Sequence, residues 1–581
     1  MSSITGVRTI EGKTREQPPA VARRPWGWSW GAGAVVAGAV LMFCYLRIAG
    51  ATRVNSDGAG LVLQASDMLH GNLLLHGWWA TDVSFITTEL PEYMAVTKVA
   101  GIRPEVVHIC AGLTYTLLVL LAAFVARGRA RGPQGLVAAL LAAGVMLAPQ
   151  PSGPTTVLLG SPDHVGTAVP LLLLLLLLDR VPSPQSWSRW YIPVGTGVCA
   201  VVVLTLTIVG DPLAEVVGVA PLALACLLRS ARIIVLRIAR ARRAASRTDD
   251  GRLPDTSWFA VFSSVLLAAS AAAAVPLAQA VNSLITRHGG YQLGPARYHL
   301  MPWHVIVHDA PMVWQSFLVL FGADYAGVTG RGNATFAFVH LAGVAVVIVA
   351  VAFAAWRLVR PARAAWAGDL VADVLVLGVL VNVAAYFAGV QYTNIYSAHE
   401  IGPMLALGAA LAGRVIGSLA AARLGRGVQA RRVLLGAFAA GLACYALMLG
   451  IAVAHKQMPP RNVGLTRWLA RHHLTNGLAP YWEASSVTLD SGGSITVLAV
   501  QPLPGDVRLE PKHWQSDVLL ATTKGQSADF VITSPAENVH HGNVIATFGR
   551  PAGTYRYGPY TIMVWHKNLL PDLLTGPAAV T

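Results

Sequence analysis

Charge is what this sequence has least of. Only 12% of its 581 residues are Asp, Glu, Lys or Arg, while 54% are hydrophobic; an ordinary soluble domain is about 25% charged. The deficit is concentrated in long apolar blocks such as Val165–Leu178 and Leu434–Ala454. Uncharged runs near 20 residues match the hydrocarbon thickness of a bilayer, and one soluble core cannot absorb so many of them. Other absences narrow the field further. The polar C-terminal region carries no P-loop, no GxGxxG and no Ser-His-Asp signature, and no HExxH occurs to suggest a zinc protease. Cys44, Cys110, Cys199, Cys226 and Cys444 all fall in apolar segments, so the polar region has no disulfide framework. The block Gly31–Ile48 lacks a clear small-x-small cleavage site followed by a mature soluble domain and reads as a retained first span.

What is present is a regular alternation. Spans are expected near 28–48, 105–126, 133–149, 164–178, 191–209, 213–228, 257–280, 335–355, 369–389, 401–418 and 433–454, eleven in all, the fourth and sixth being short. The net charge of +15 does not imply a nucleic-acid partner, because the arginines sit in short connections between apolar blocks. With the N-terminus inside, the inner segments hold 25 Lys and Arg residues and the longer outer loops hold six. Arg414 is expected to snorkel to the inner side. An odd number of spans leaves the C-terminal segment outside. The expected organisation is a cytoplasmic tail 1–27, a transmembrane domain 28–454 with large outer loops 49–104 and 281–334, and an extracytoplasmic α/β domain 455–581.

Carboxylates crowd the opposite face from the arginines, from Asp57 and Asp67 through Asp163 and Asp211 to Glu400. In the first outer loop, Ser56 reads as the N-cap of a helix running to about His70, with Asp57 in its first turn. A carboxylate so near the membrane surface is partly desolvated, which raises its pKa toward a general base's range; a charge serving the helix dipole is the plainer reading. Leu73–Trp79 is expected to lie at the interface, anchored by its Trp pair. Asp163-His164 stands at the mouth of the fourth span, as a substrate- or metal-orienting pair or as a cap beside an interfacial histidine. Asp211-Pro212 reads as a tight turn. The 281–334 loop offers Arg287, Arg297 and His299 for a phosphate among aromatics suited to sugar faces or to an interfacial belt, and His304 and His308 four residues apart. Glu400 opens a span, an expensive place for a charge and a site candidate by default.

After Pro459-Pro460 the composition changes. Arg461–His473 reads as a helix, and Ser485–Leu489, Ser494–Val500, Val518–Ala521, Ala528–Ile532 and Tyr560–His566 read as strands of a domain large enough for its own core.

The segments NSDGAGLVLQASDMLHGNLLLHGW, SPDHVGTAVP, YSAHEIGPMLALGAALAGR and GLAPYWEASSVTLDSGG, with an acid placed just after the first span, resemble the GT-C class of membrane glycosyltransferases, in an uncharacterised actinobacterial branch. The first loop lacks the adjacent acidic pair of several branches, and no WWD-type motif occurs in the C-terminal domain, which separates the chain from oligosaccharyltransferases. The resemblance implies a polytopic α-helical membrane protein of the plasma membrane with a C-terminal extracytoplasmic domain. It implies a sugar donor on polyprenyl phosphate and an acceptor glycan, lipid or protein of the cell envelope. Asp57 would be the general base of an inverting transfer. Asp163, His164 and Glu400 would position the acceptor or a divalent cation, Mg or Mn, with no residue assigned as a metal ligand. Arg287, Arg297 or His299 would neutralise the leaving lipid phosphate. A non-enzymatic membrane scaffold and a transporter are the alternatives.

Overall fold

A computed structural model describes residues 26–150, 155–160, 163–180, 189–245, 256–294, 299–326, 334–360, 368–389, 395–423, 428–522 and 524–573. Among the described residues, nine helices are long and apolar enough to cross a membrane, from Trp30–Ala49 to Leu435–Val453. The other two expected spans are shorter helices, Gly132–Met146 and Ala168–Arg180. The helices share one apolar core running from Leu41 and Tyr45 to Met448 and Ala452. Close approach is bought with small residues, as expected where lipid supplies no hydrophobic drive between helices. A Cβ at Gly417 would lie 2.7 Å from Ala138 Cα, and Gly413, four residues earlier, meets the same helix.

Arg414 corrects one expectation: it does not snorkel to water. Its guanidinium is mostly buried and donates to Asp369 Oδ1 at 2.9 Å, to Asp179 Oδ1 at 2.5 Å and to the Val125 carbonyl at 2.7 Å. Three elements at that end of the bundle are thereby tied to one cation, the arrangement in which a charge at membrane depth is tolerable.

The 281–334 region is also more ordered than a loop. The Thr256–Arg287 helix runs on through its first residues, and Trp303–Leu320 is an 18-residue helix. Met301 N–H donates to the carbonyl of Ala388, and Tyr386 donates to Ser316 Oγ at 3.3 Å. Thirteen residues of Trp303–Leu320 rise about 20 Å, yet both contacts fall on the last turn of Leu370–Ala388. The helix therefore lies across that end of the bundle and does not add a crossing.

The C-terminal domain is a six-stranded mixed sheet in the order β4-β3-β2-β6-β8-β7, built from β2 (Asn476–Ala479), β3 (Thr496–Pro502), β4 (Leu509–Pro511), β6 (Phe530–Thr533), β7 (Gly553–Tyr557) and β8 (Tyr560–Val564). β3, β2 and β6 are parallel. The first parallel pair needs a crossover, and Tyr481–Asp490 supplies it as a helix. The strand expected at Ser485–Leu489 is part of this helix, and the one at Val518–Ala521 is a short 3-10 turn. β-branched residues misled the local reading there, because the crossover needs a helix regardless of propensity. Separate apolar clusters cover the two faces of the sheet.

The domain docks on the first loop. β1 (Trp78–Trp79) pairs antiparallel with β5 (Ser516–Asp517). Trp78, expected as a membrane anchor, is buried and donates its indole N–H to Asp67 Oδ2 at 2.8 Å. Gln292 N–H donates to the Trp78 carbonyl, so three separated segments are knitted at one point. Met458 N–H donates to the Gly50 carbonyl, and Gln457 Nε2 to the Arg47 carbonyl at 2.8 Å. The first and last long helices therefore end on one side, which requires an odd number of crossings between them. In a cysteine-free background, single cysteines at Val99 and Lys524, both exposed, are expected to react with a membrane-impermeant maleimide from the same side; labelling from opposite sides contradicts this topology.

Candidate active site

Asn55, not Ser56, caps the first loop helix, Ser56–Leu69: its Oδ1 accepts from Gly58 N–H at 3.0 Å. The same side chain turns its Nδ2 to Asp57 Oδ2 at 2.8 Å. Two residues of the C-terminal domain complete the environment of Asp57. The Tyr481 hydroxyl bonds Asp57 Oδ1 and lies 2.7 Å from Gln515 Oε1, and Gln515 Nε2 donates to the Asp57 carbonyl at 2.9 Å. Gln515 is in the left-handed region, φ +43°, rare for a residue with a side chain. It fits because position 60 is glycine; a Cβ there would lie 2.6 Å from Gln515 Cδ.

Burial raises the Asp57 pKa to about 7, with Asp163 adding to the rise and Tyr481, His399 and Asn55 opposing it. One tyrosine hydrogen cannot serve both Asp57 Oδ1 and Gln515 Oε1. A proton on Asp57 resolves the conflict, with Asp57 donating to Tyr481 and Tyr481 to Gln515. The carboxyl thus sits at the balance point between an acid and a base near neutral pH.

His164 organises the neighbouring cluster. It too has a positive φ, +52°, a strained backbone of the kind that gathers at functional sites. Its Nδ1 lies 2.9 Å from Asp211 Oδ2, and Asp211 also accepts from Thr167 and, through Oδ1, from Leu213 N–H at 2.9 Å. On the other side, His164 Nε2 is 3.3 Å from Glu400 Oε2, and His399 Nε2 is 3.7 Å from Glu400 Oε1. The two imidazoles are parallel, 5.8 Å between centroids. Below this cluster Glu89 is buried, its oxygens without a well-formed hydrogen bond, against Gly166, where a Cβ would lie 2.9 Å from its carboxyl carbon. Burial pushes the Glu89 pKa up to about 8, so the group is a neutral acid at pH 7.

Among the described residues, His164, His399 and Glu400 bring one ligand atom each within 4.8 Å of one another. Glu400 Oε2 is buried and, apart from its ion pair with His164 Nε2, has no hydrogen-bond partner, and Asp211 holds His164 by its far nitrogen, as carboxylates do behind metal-bound histidines. The donor set fits a divalent cation, and two imidazoles with one carboxylate suit Mn or Zn better than Mg.

Of the sequence candidates, Asp57, Asp163, His164 and Glu400 form one connected group. Arg287, at a helix end, and His299 are exposed and form no ion pair with it among the described residues; Arg297 lies outside the described residues. His308 pairs with its neighbour Asp309 at 2.8 Å and is largely exposed, so the His304/His308 spacing builds no site with the cluster. The sequence reading does not put His399, Tyr481, Gln515 or Glu89 forward as site residues, and it reads Asp211 as a turn. Pro212 gave Asp211 a sufficient explanation as a turn, and Tyr481 and Gln515 lie more than 400 positions from Asp57.

The fold and site define a multi-pass helical membrane protein with a carboxylate-histidine centre roofed by a C-terminal α/β domain. No family model and no curated protein matches the chain. Among solved structures its neighbours are membrane glycosyltransferases of the GT-C class. ArnT from Cupriavidus metallidurans bound to undecaprenyl phosphate is 12% identical, with 92% of this chain and 98% of that chain covered and a TM-score of 0.49. The apo form of the same protein gives 12% identity, 95% and 100% coverage and 0.48. The Archaeoglobus fulgidus oligosaccharyltransferase tethered with an acceptor peptide gives 14% identity, 88% and 69% coverage and 0.47. The site assignments rest on the geometry of this chain alone.

Two measurements follow from the electrostatics. Difference infrared spectroscopy is expected to show a carboxyl titrating near pH 7 that disappears in Asp57→Asn. In Tyr481→Phe its midpoint rises by about one unit, since a hydrogen bond to a charged group contributes ~1.5–3 kcal/mol; an unmoved midpoint removes Tyr481 from the site. For Glu89, the folded state keeps a proton that the unfolded chain releases above the usual 4.5. Its stabilisation is full below that value and lost as pH rises through about 8. Thermal unfolding should therefore shift to lower temperature between pH 5 and 9, and Glu89→Gln should flatten the slope.

Proposed function

We propose that this protein transfers a sugar from a polyprenyl-phosphate donor to a hydroxyl of a cell-envelope glycan, lipid or protein, with inversion, using Asp57 as general base. The observation that carries the reading is Asp57 itself: a carboxyl held between Asn55 and Tyr481 and withdrawn from water, which lifts its pKa to about 7, a few residues beyond the first span, where a head group whose tail stays in lipid can meet it.

The chemistry is one displacement. The acceptor oxygen bonds the anomeric carbon as its proton passes to Asp57. The bond from that carbon to the phosphate oxygen breaks, and the electron pair leaves with the lipid phosphate. Asp163 orients the acceptor beside Asp57. A divalent cation held by His164, His399 and Glu400 would supply positive charge for the phosphate. Arg287, Arg297 and His299 would neutralise the released lipid phosphate.

In this reading the arginine bias places the tail 1–27 in the cytoplasm. The domain 455–581, and the loop carrying Asp57, then face outward from the plasma membrane.

Membranes carrying the protein and a polyprenyl-phosphate sugar are expected to form glycan product. Asp57→Asn, at normal protein level, should lower the rate at least ~100-fold, the lower end of general-base contributions. The rate of the unaltered protein should rise with pH through about 7, because the base acts only when deprotonated. Product formation by Asp57→Asn within a few fold of normal would falsify the proposal.

A further inference from the structure

A cavity of about 220 Å³ lies between the Ser56–Leu69 helix and the C-terminal domain. By the share of volume each takes in the liquid, about seven waters would fill it. One wall is Ser66 and Asp67 with the Trp78 indole; the other is Ser485, Ser516 and Asp517. Ser66, Ser485 and Ser516 are themselves more than nine-tenths buried, so their hydroxyls are fixed by the surrounding packing. Gln515 lines it too, and the same Gln515 side chain holds the backbone of Asp57. The cavity therefore adjoins the site through one residue without being part of it.

The lining is selective. Hydroxyls donate and accept, two carboxylates accept, and Trp78, Leu63, Ile102 and Leu520 supply apolar surface for C–H groups, the combination a sugar ring requires. No Lys or Arg lines it, and His70 is the only lining side chain able to carry positive charge. Asp67 and Asp517 facing one space disfavour an anionic ligand. Along the helix, Ser66 is nine residues from Asp57, about 13 Å by the rise of an α-helix. A ring in the cavity is thus not the unit whose hydroxyl meets Asp57.

We propose that this cavity binds one neutral or amino-substituted sugar unit of the acceptor, at a distance from the reacting hydroxyl, so that the acceptor carries an oligosaccharide. The word acceptor rests on the function proposed above; the saccharide site does not.

Saturation-transfer NMR of the full chain in a detergent without a sugar head group tests it, with methyl α-mannoside, glucosamine and glucuronic acid as separate probes at millimolar concentration. Transfer to the first two and at least about tenfold less to glucuronic acid is the expected result. Ser66→Leu and Ser485→Leu, filling the cavity from opposite walls, should each abolish it while unfolding cooperatively. No transfer to any probe, equal transfer to glucuronic acid, or unchanged transfer in both variants overturns the inference; the probe comparison needs no variant to fold. Loss of product in Asp57→Asn without saccharide binding leaves the enzyme reading standing and the subsite wrong. Saccharide binding with full activity in Asp57→Asn does the reverse.

Discussion

The contact between the C-terminal domain and the first turn of the Ser56–Leu69 helix governs the rest of this structure. Tyr481 and Gln515 reach across to Asp57 from a crossover helix and from the residue just before a two-residue strand. That contact removes water from one side of the carboxyl and replaces it with two groups whose hydrogens are too few for their acceptors. The same docking puts β5 against β1, buries Trp78 and encloses the cavity beyond Gln515. Gly60 is the steric condition for all of it, since any side chain there would collide with Gln515.

The two ends of the helical bundle manage charge differently. At one end Arg414 is fully engaged by Asp179, Asp369 and a carbonyl, a paired arrangement that holds helices in place and leaves nothing free to react. At the other end no guanidinium meets the described carboxylates of the cluster. Asp211 and Glu400 face imidazoles, Asp57 faces hydroxyl and amide groups, and Glu89 makes no well-formed hydrogen bond. Burial without a cation against the carboxyl lifts the pKa of Asp57 to about 7 and that of Glu89 to about 8. That is how proton transfer at pH 7 becomes available to a residue type that is ordinarily ionised.

The spans, the helix beginning beside Asp57 and the change of composition after Pro459-Pro460 were legible because apolar run length and capping chemistry are local properties. Asp57, Asp163, His164 and Glu400 were legible as candidates because charge beside a membrane span is costly wherever the chain goes next. Ser485–Leu489 was misread because β-branched residues favour a strand locally, whereas a parallel sheet imposes a helix between its strands.

The sequence by itself determined that the chain crosses a membrane many times and gathers its acids on the face opposite its arginines, since both follow from the solvation of each residue taken alone. Only the tertiary structure decided which acids act together. Tyr481 and Gln515 reach Asp57 over more than 400 residues, Asp211 meets His164 across a helix-to-helix connection, and His399 stacks on His164 beside Glu400. Those proximities are set by how helices and a docked domain pack, and no local pattern encodes that packing.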